Sequence, residues 1–136
     1  MLPESVASRI HVAAVSMEDR EVNATVVNAV QRVSSVVTQR SLIEAFGLTV
    51  AEAMWKKAPV VASAVGGIRD QIDDGVDGVL VDPADGLAWA EAVRDLLLFP
   101  ERAQEMGLAA HESVRREFLS NRHLQDLLQI VADLVG

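Results

Sequence analysis

Residues 33–63 read VSSVVTQRSLIEAFGLTVAEAMWKKAPVVAS, and their pattern predicts the fold class. It begins and ends with short segments rich in β-branched residues, Val33–Thr38 and Val60–Ser63, which the composition predicts to be strands. Between them, apolar residues at helical spacing predict a helix over Thr49–Lys57, and Ala58-Pro59 ends that helix. A strand, a loop, a helix and a second strand in this order form a parallel β-α-β unit.

The same alternation continues on both sides of this stretch. Two more β-branched segments predict strands at Ile10–Ser16 and Gly78–Val81, which makes four strands in all. Further helices are predicted at Met17–Gln31, Ile68–Ile72, Leu87–Phe99, Glu101–Phe118 and Asn121–Val135. The pattern therefore predicts the α/β class, with a Rossmann-like parallel sheet flanked by helices. We expect one partial domain over residues 1–136, with an α/β core at 10–85 and a helical C-terminal tail at 86–136.

The composition excludes several classes of function. Twenty acidic against twelve basic residues give a formal net charge of -8, which removes the electrostatic basis for general affinity to nucleic acid or anionic membranes. No Cys is present and the three His are scattered, so neither disulfides nor a zinc site is expected. Without a signal-like N-terminus or an apolar run of roughly 20 residues, the sequence predicts a cytoplasmic protein.

The loop from Gln39 to Leu48 carries the candidate chemistry. Ligands of parallel α/β sheets bind outside the carboxyl ends of the strands, and this loop leaves such an end. At the helix N-terminus, backbone N–H groups without intrahelical partners favour a phosphate, and a glycine there permits close approach of the backbone. The residues expected to present these groups are Phe46, Gly47, Leu48 and Thr49.

Two acidic residues, Glu44 and Glu52, flank this turn. A carboxylate beside a phosphate repels the ligand's charge, so it suits the site only if it accepts hydrogen bonds from hydroxyl groups. A nucleoside diphosphate sugar carries hydroxyls on the transferred sugar and on the ribose, with the phosphates between them. That order matches a sugar contact by Glu44 and a ribose contact by Glu52. The alternative is an ordinary loop-helix junction, in which Glu52 complements the helix dipole and Glu44 is solvated.

A longer pattern around this loop resembles a known family. E-x-F-G-L-x-x-x-E is followed by a helix, A-P-V-V-A-S, V-G-G-I, an acidic G-x-x-G turn and L-V-D-P, as in the C-terminal half of the family-four retaining glycosyltransferases of GT-B fold. The resemblance covers Val33 to about Phe118. It implies that Glu44 contacts the donor sugar and orients it for catalysis, that Glu52 binds the ribose, and that the backbone of Phe46–Thr49 meets the diphosphate. It also implies retention of the anomeric configuration, without a metal or another cofactor.

A narrower likeness lies in three segments, Arg20–Ala24 (REVNA), Glu44–Lys56 (EAFGLTVAEAMWK) and Val65–Ile68 (VGGI). These look like trehalose synthases of the glucosyl-transferring type and the related trehalose phosphorylases. The likeness implies a nucleoside diphosphate glucose as donor and glucose as the sugar acceptor. Ala45 stands where relatives often carry Gly, and Ile43 stands where a basic residue is common, but neither departure changes the two acids.

Two features of the family have no counterpart in this sequence. The C-terminal domain of the family normally begins with a β-α-β unit whose Arg and Lys neutralise the diphosphate, and the acceptor-binding N-terminal domain is also absent. Arg40 and Arg69 lie near loops on the predicted ligand side and are candidates to replace part of that charge. We therefore expect a donor-binding fragment of a longer parent enzyme, with poor donor affinity and no catalysis by itself.

The sequence allows two other interpretations beside the enzyme fragment. A non-catalytic nucleotide-binding or interaction module derived from the same fold is favoured by the missing basic pair. A flavodoxin-like or phosphate-responsive domain is disfavoured, because the sequence has no acidic phosphoacceptor cluster and no flavin loop. The sheet edge left uncovered by the missing unit predicts pairing into a homodimer.

Overall fold

The computed structural model describes residues 3–135, and this part of the chain contains seven helices and three strands. The helices are α1 (Glu4–Ala7), α2 (Arg20–Val33), α3 (Leu48–Trp55), α4 (Ile68–Gln71), α5 (Gly86–Leu98), α6 (Pro100–Glu117) and α7 (Ser120–Val135). The strands are β1 (Val37–Gln39), β2 (Val60–Ser63) and β3 (Val79–Val81). Within residues 3–135, no helix has the length and apolar character that crossing a membrane requires.

The chain divides into two compact units, one up to Val30 and the other from Gln31 onward. In the first unit, Asp19 caps the start of α2, because its Oδ1 accepts hydrogen bonds from the N–H groups of Glu21 and Val22, both at 3.0 Å. The second unit contains the whole sheet and the helices α3 to α7. The predicted site therefore lies within the second unit.

The strands form one parallel sheet in the order β1-β2-β3. Val37 of β1 pairs with Val60 of β2, and Val61 of β2 pairs with Val79 of β3. All four residues of the central strand β2 are buried, which explains its uninterrupted run of small and apolar residues. The predicted α/β class with a parallel sheet is confirmed.

The prediction of a strand at Ile10–Ser16 is wrong, because these residues have no regular secondary structure. β-branched side chains favour an extended backbone, but a strand forms only where a neighbouring strand pairs with it. The predicted strand at Val33–Thr38 also begins later, at Val37, because α2 extends to Val33. The β-α-β unit predicted from Ile10 is therefore absent, and the described residues form three strands instead of four.

Successive residues of β2 point to opposite faces of the sheet, and an apolar cluster covers each face. Val60 and Ala62 belong to the cluster formed with α3, α4 and α6. Val61 belongs to the other cluster, formed with α5 and α6. Because α6 contributes Ala110 to the first cluster and Met106 to the second, this helix helps to cover both faces.

The helix α6 also holds the C-terminal end of α3. Nδ1 of His111 donates to the carbonyl of Trp55 at 2.6 Å, and the two rings stack with centroids 4.4 Å apart. Gly107 approaches the backbone just after α3 so closely that a Cβ built on it would lie 2.9 Å from the carbonyl carbon of Lys57. These contacts fix the helix whose N-terminus opens the predicted site.

Candidate functional site

The loop from Arg40 to Gly47 leaves the carboxyl end of β1 and leads directly into α3. Gly47 is buried and has a φ of 90°, a left-handed conformation that glycine adopts without steric cost. The next two backbone N–H groups, of Leu48 and Thr49, have no protein acceptor in the described part of the chain. The loop thus presents unpaired donors at the positive end of a helix, an arrangement suited to an anion.

A short series of hydrogen bonds leads from β1 to Glu44. Nε2 of Gln39 donates to Oγ of Ser41 at 2.9 Å, and Oγ of Ser41 donates to Oε2 of Glu44 at 3.4 Å. The Glu44 side chain is half-buried, and its Cγ lies 3.6 Å from the position of a Cβ built on Gly47. No described residue hydrogen-bonds to the other oxygen, Oε1, so that atom can accept from a ligand hydroxyl.

Two glycines of the β2–α4 loop pack against the backbone of Glu44 and of the two residues that follow it. A Cβ built on Gly66 would lie 2.9 Å from the carbonyl carbon of Glu44. A Cβ built on Gly67 would overlap the carbonyl oxygen of Ala45 and lie 3.0 Å from Cα of Phe46. Sequence reasoning indicates only a turn at this Gly-Gly pair, because its contact with the candidate loop arises from tertiary packing.

Phe46 is held at both its ring and its carbonyl. Its ring meets that of Phe118 edge to face, with centroids 6.1 Å apart and an interplanar angle of 68°. Its carbonyl accepts a hydrogen bond from Nε2 of Gln71, a side chain that is only 3% exposed. The loop is therefore anchored by α4 and by the residue after α6.

The first turn of α3 is held by a second buried glutamine, Gln31, at the end of α2. Its Nε2 donates to the carbonyl of Thr49 at 3.4 Å, and its Oε1 accepts from Nζ of Lys56 at 2.6 Å. Sequence reasoning missed this contact, because a Gln in a helix is usually exposed. Only the burial of Gln31, which is 5% exposed, marks it as a supporting residue, and burial is known only from the structure.

Glu52 lies on α3, one turn after Leu48, and both side chains are exposed. Among the residues described, no cation forms an ion pair with Glu52, since the nearest one in helical spacing, Lys56, bonds to Gln31. The six predicted site residues thus occupy one loop-helix junction, with Glu44 before the turn and Glu52 after it. Their roles toward a ligand stay predictions.

The two arginines predicted as charge substitutes bond to backbone carbonyls. Nε and Nη2 of Arg40 donate to the carbonyl of Pro83 at 3.0 and 2.9 Å, and the guanidinium lies 5.7 Å from the ring centroid of Trp89. Nε of Arg69 donates to the carbonyl of Ala64 at 2.6 Å. Arg40 therefore connects the loop after β1 to the segment after β3. Arg69 connects α4 to the start of the loop after β2.

Residues 20–113 match the family of glycosyl transferases group 1. The trehalose synthase of Pyrococcus horikoshii is 49% identical over 115 residues, which are 85% of this chain and 27% of that relative. The chain thus spans about a quarter of the length of the curated relatives it matches.

The fold is similar to that of solved glycosyltransferases. The sucrose-phosphate synthase of Thermosynechococcus elongatus has a TM-score of 0.76 and 28% identity, over 96% of this chain and 31% of that chain. The Anabaena protein HepE in complex with UDP-glucose has a TM-score of 0.69 over 78% of this chain and 29% of its own. Its 21% identity makes it evidence for the fold alone.

These matches confirm the resemblance to the C-terminal part of a GT-B glycosyltransferase, most like trehalose synthase. The family match covers more than half of the chain, from the start of α2 to the last third of α6. It includes the whole sheet and every predicted site residue. The chain therefore belongs to the glycosyl transferases group 1 family.

Proposed function

We propose that this chain is the donor-binding part of a retaining enzyme that transfers glucose from a nucleoside diphosphate glucose to a sugar hydroxyl. The observation that carries the proposal is the position of Glu44 and Glu52 on either side of the unpaired N–H groups of Leu48 and Thr49. The likeness to the Pyrococcus trehalose synthase supports the glucosyl donor.

Each part of the donor meets a different group of the junction. The unpaired N–H groups hydrogen-bond the diphosphate at the helix N-terminus. Oε1 of Glu44 accepts from a hydroxyl of the transferred glucose, while Oε2 stays bound to Ser41. Glu52, one turn along α3, accepts from the ribose hydroxyls. The hydrogen bonds that the two acids accept from hydroxyl groups offset their repulsion of the phosphate oxygens.

The anomeric configuration of glucose is retained if the acceptor attacks from the side on which the diphosphate departs. The acceptor oxygen forms a bond to the anomeric carbon of glucose as the bond from that carbon to the diphosphate oxygen breaks. The departing phosphate takes the proton of the acceptor hydroxyl, so the products are the glycoside and the nucleoside diphosphate. Glu44 orients the donor in this scheme, and the chemistry requires neither a protein nucleophile nor a metal.

Binding by this chain alone is weak in this proposal. A helix N-terminus contributes only about 0.3–1 kcal/mol per charge at exposed positions. The formal net charge of -8 opposes an anionic ligand. We expect a Kd for UDP on the order of millimolar, and no transfer without the acceptor-binding part of the parent enzyme.

Two acid variants test the proposed roles separately. Glu52→Ala should weaken both UDP and UDP-glucose binding by about tenfold or more, because both ligands carry the ribose. Glu44→Gln should weaken UDP-glucose binding while leaving UDP binding unchanged. Glu91→Ala, which removes an exposed acid on α5, is the matched control.

Nuclear magnetic resonance titration measures affinities in the millimolar range and gives the Kd of UDP and of UDP-glucose for the wild type and each variant. Unchanged UDP binding in Glu52→Ala would exclude the ribose role. Equal losses of UDP and UDP-glucose binding in Glu44→Gln would exclude the sugar role. Binding that changes equally in Glu91→Ala would mean that only net charge matters and that neither acid contacts the ligand.

A further inference from the structure

Three consecutive carbonyls of the candidate loop face the segment 66–71. The carbonyl of Glu44 lies against Gly66, and that of Ala45 lies against Gly67. The carbonyl of Phe46 accepts from Nε2 of Gln71. Only the third of these contacts is a hydrogen bond, and it comes from a side chain that the proposed donor would not touch.

The direction of the Phe46 carbonyl sets the direction of the next N–H group. In a trans peptide unit the C=O and N–H bonds point to opposite sides, so the N–H of Gly47 points away from Gln71. Glycine tolerates positive and negative φ about equally, so residue 47 itself does little to oppose a flip of the Phe46–Gly47 peptide. A flipped peptide would turn a carbonyl oxygen toward the diphosphate and remove an N–H donor.

We propose that Gln71 is a positioning residue that locks the Phe46–Gly47 peptide so that the Gly47 N–H faces the diphosphate of the donor. This inference rests on the proposed function, because it assumes that a nucleoside diphosphate occupies the loop. Gln71 acts only through the backbone of Phe46 and makes no contact with the ligand.

The other polar atom of Gln71 argues against a purely stabilising role. Oε1 is buried and has no hydrogen-bond partner within residues 3–135. An unpartnered buried acceptor destabilises a fold relative to an apolar group of similar shape. An apolar residue of similar length removes this unpartnered oxygen, which offsets the loss of the hydrogen bond to the Phe46 carbonyl, so the effect on binding can be separated from the effect on stability.

The test compares two single variants of the full chain. Gln71→Met removes the N–H donor and the unpartnered oxygen together, and should keep the melting temperature while weakening UDP binding at least fivefold, equivalent to about 1 kcal/mol. Ser113→Ala is the matched control, because it also removes one donor to a buried acceptor. Oγ of Ser113 donates to Oδ2 of Asp77 at 2.6 Å, and Asp77 is 3% exposed. This control should lower the melting temperature and leave UDP affinity unchanged.

The outcomes separate this inference from the proposed function. If wild-type UDP titration leaves the amides of residues 46–49 unshifted, the proposed function and the lock are both wrong. If the wild type binds UDP at these amides and Gln71→Met binds it equally well, only the lock is wrong. A loss of affinity that merely follows a loss of melting temperature in both variants would also overturn the lock.

A measurement on the wild type tests the role of Gln71 without requiring that a variant folds. If the hydrogen bond from Gln71 to the Phe46 carbonyl favours UDP binding, then bound UDP must in turn stabilise that hydrogen bond. We expect hydrogen exchange of the Gln71 side-chain amide to slow when UDP is added. An unchanged exchange rate at saturation would contradict the proposed lock.

Discussion

Replacing Gly67 by Ala tests whether the β2–α4 loop sets the position of the candidate donor loop. Gly67 has φ -66° and ψ -10°, which suit alanine, so the change introduces no backbone strain. The new Cβ would overlap the Ala45 carbonyl and lie 3.0 Å from Cα of Phe46. Because carbon atoms prefer separations of about 3.5–4.0 Å, the loop must move by about 0.5–1 Å.

The expected loss of stability follows from two opposing effects. Overpacking costs about 1–3 kcal/mol, and the reduced entropy of the unfolded chain offsets about 0.4–1 kcal/mol of that. We therefore expect the free energy of unfolding in urea to fall by about 0.5–2 kcal/mol. The matched control is Gly86→Ala, where a built Cβ meets nothing within 4 Å and where alanine should keep or raise stability.

Amide spectra complete the test of Gly67→Ala. The shifts should concentrate at Ala45, Phe46 and Gly47, and UDP affinity should fall because the N–H groups move. Wild-type stability together with unshifted amides at these three residues would refute the contact between the two loops.

Two further predictions concern parts of the molecule outside the site. Gly107→Ala should lower the free energy of unfolding by about 1–3 kcal/mol, although alanine favours helices, because the new Cβ would overlap the Lys57 carbonyl. A more stable variant in urea denaturation would contradict the close approach of α6. In sedimentation velocity at tens of micromolar, the chain should self-associate through an edge of its three-stranded sheet, where β1 and β3 are the outer strands. A single monomeric species at that concentration would exclude the dimer.

The fold was predicted best where local pattern and burial agree. β2 has the predicted bounds, Val60–Ser63, because a central strand of a parallel sheet requires an uninterrupted run of residues that can be buried. The segment Ile10–Ser16 has an equally β-branched composition but forms no strand. Composition alone cannot show whether a neighbouring strand is available for pairing.

The candidate site, too, can be predicted from the sequence only in part. The sequence pattern identified Glu44, Glu52 and the turn between them, since their spacing follows the chemistry of one ligand. It did not identify Gln31 or Gln71, whose amides bond to backbone carbonyls distant in sequence. Such supporting contacts depend on how Gln31 packs against the first turn of α3 and how α4 packs against the loop, and no local pattern encodes them.

The proposed function requires that the segment from Glu44 to Glu52 binds a nucleoside diphosphate sugar. An amide spectrum of the isotopically labelled chain, recorded during titration with UDP-glucose, is the decisive test of that binding. We expect saturable shifts at the amides of Phe46–Thr49 and Glu52, with the amides of α5 unaffected. Shifts confined to another surface, such as the acidic recess lined by Asp70 and Asp77, or no shift in Glu44–Glu52 at millimolar ligand, would contradict it.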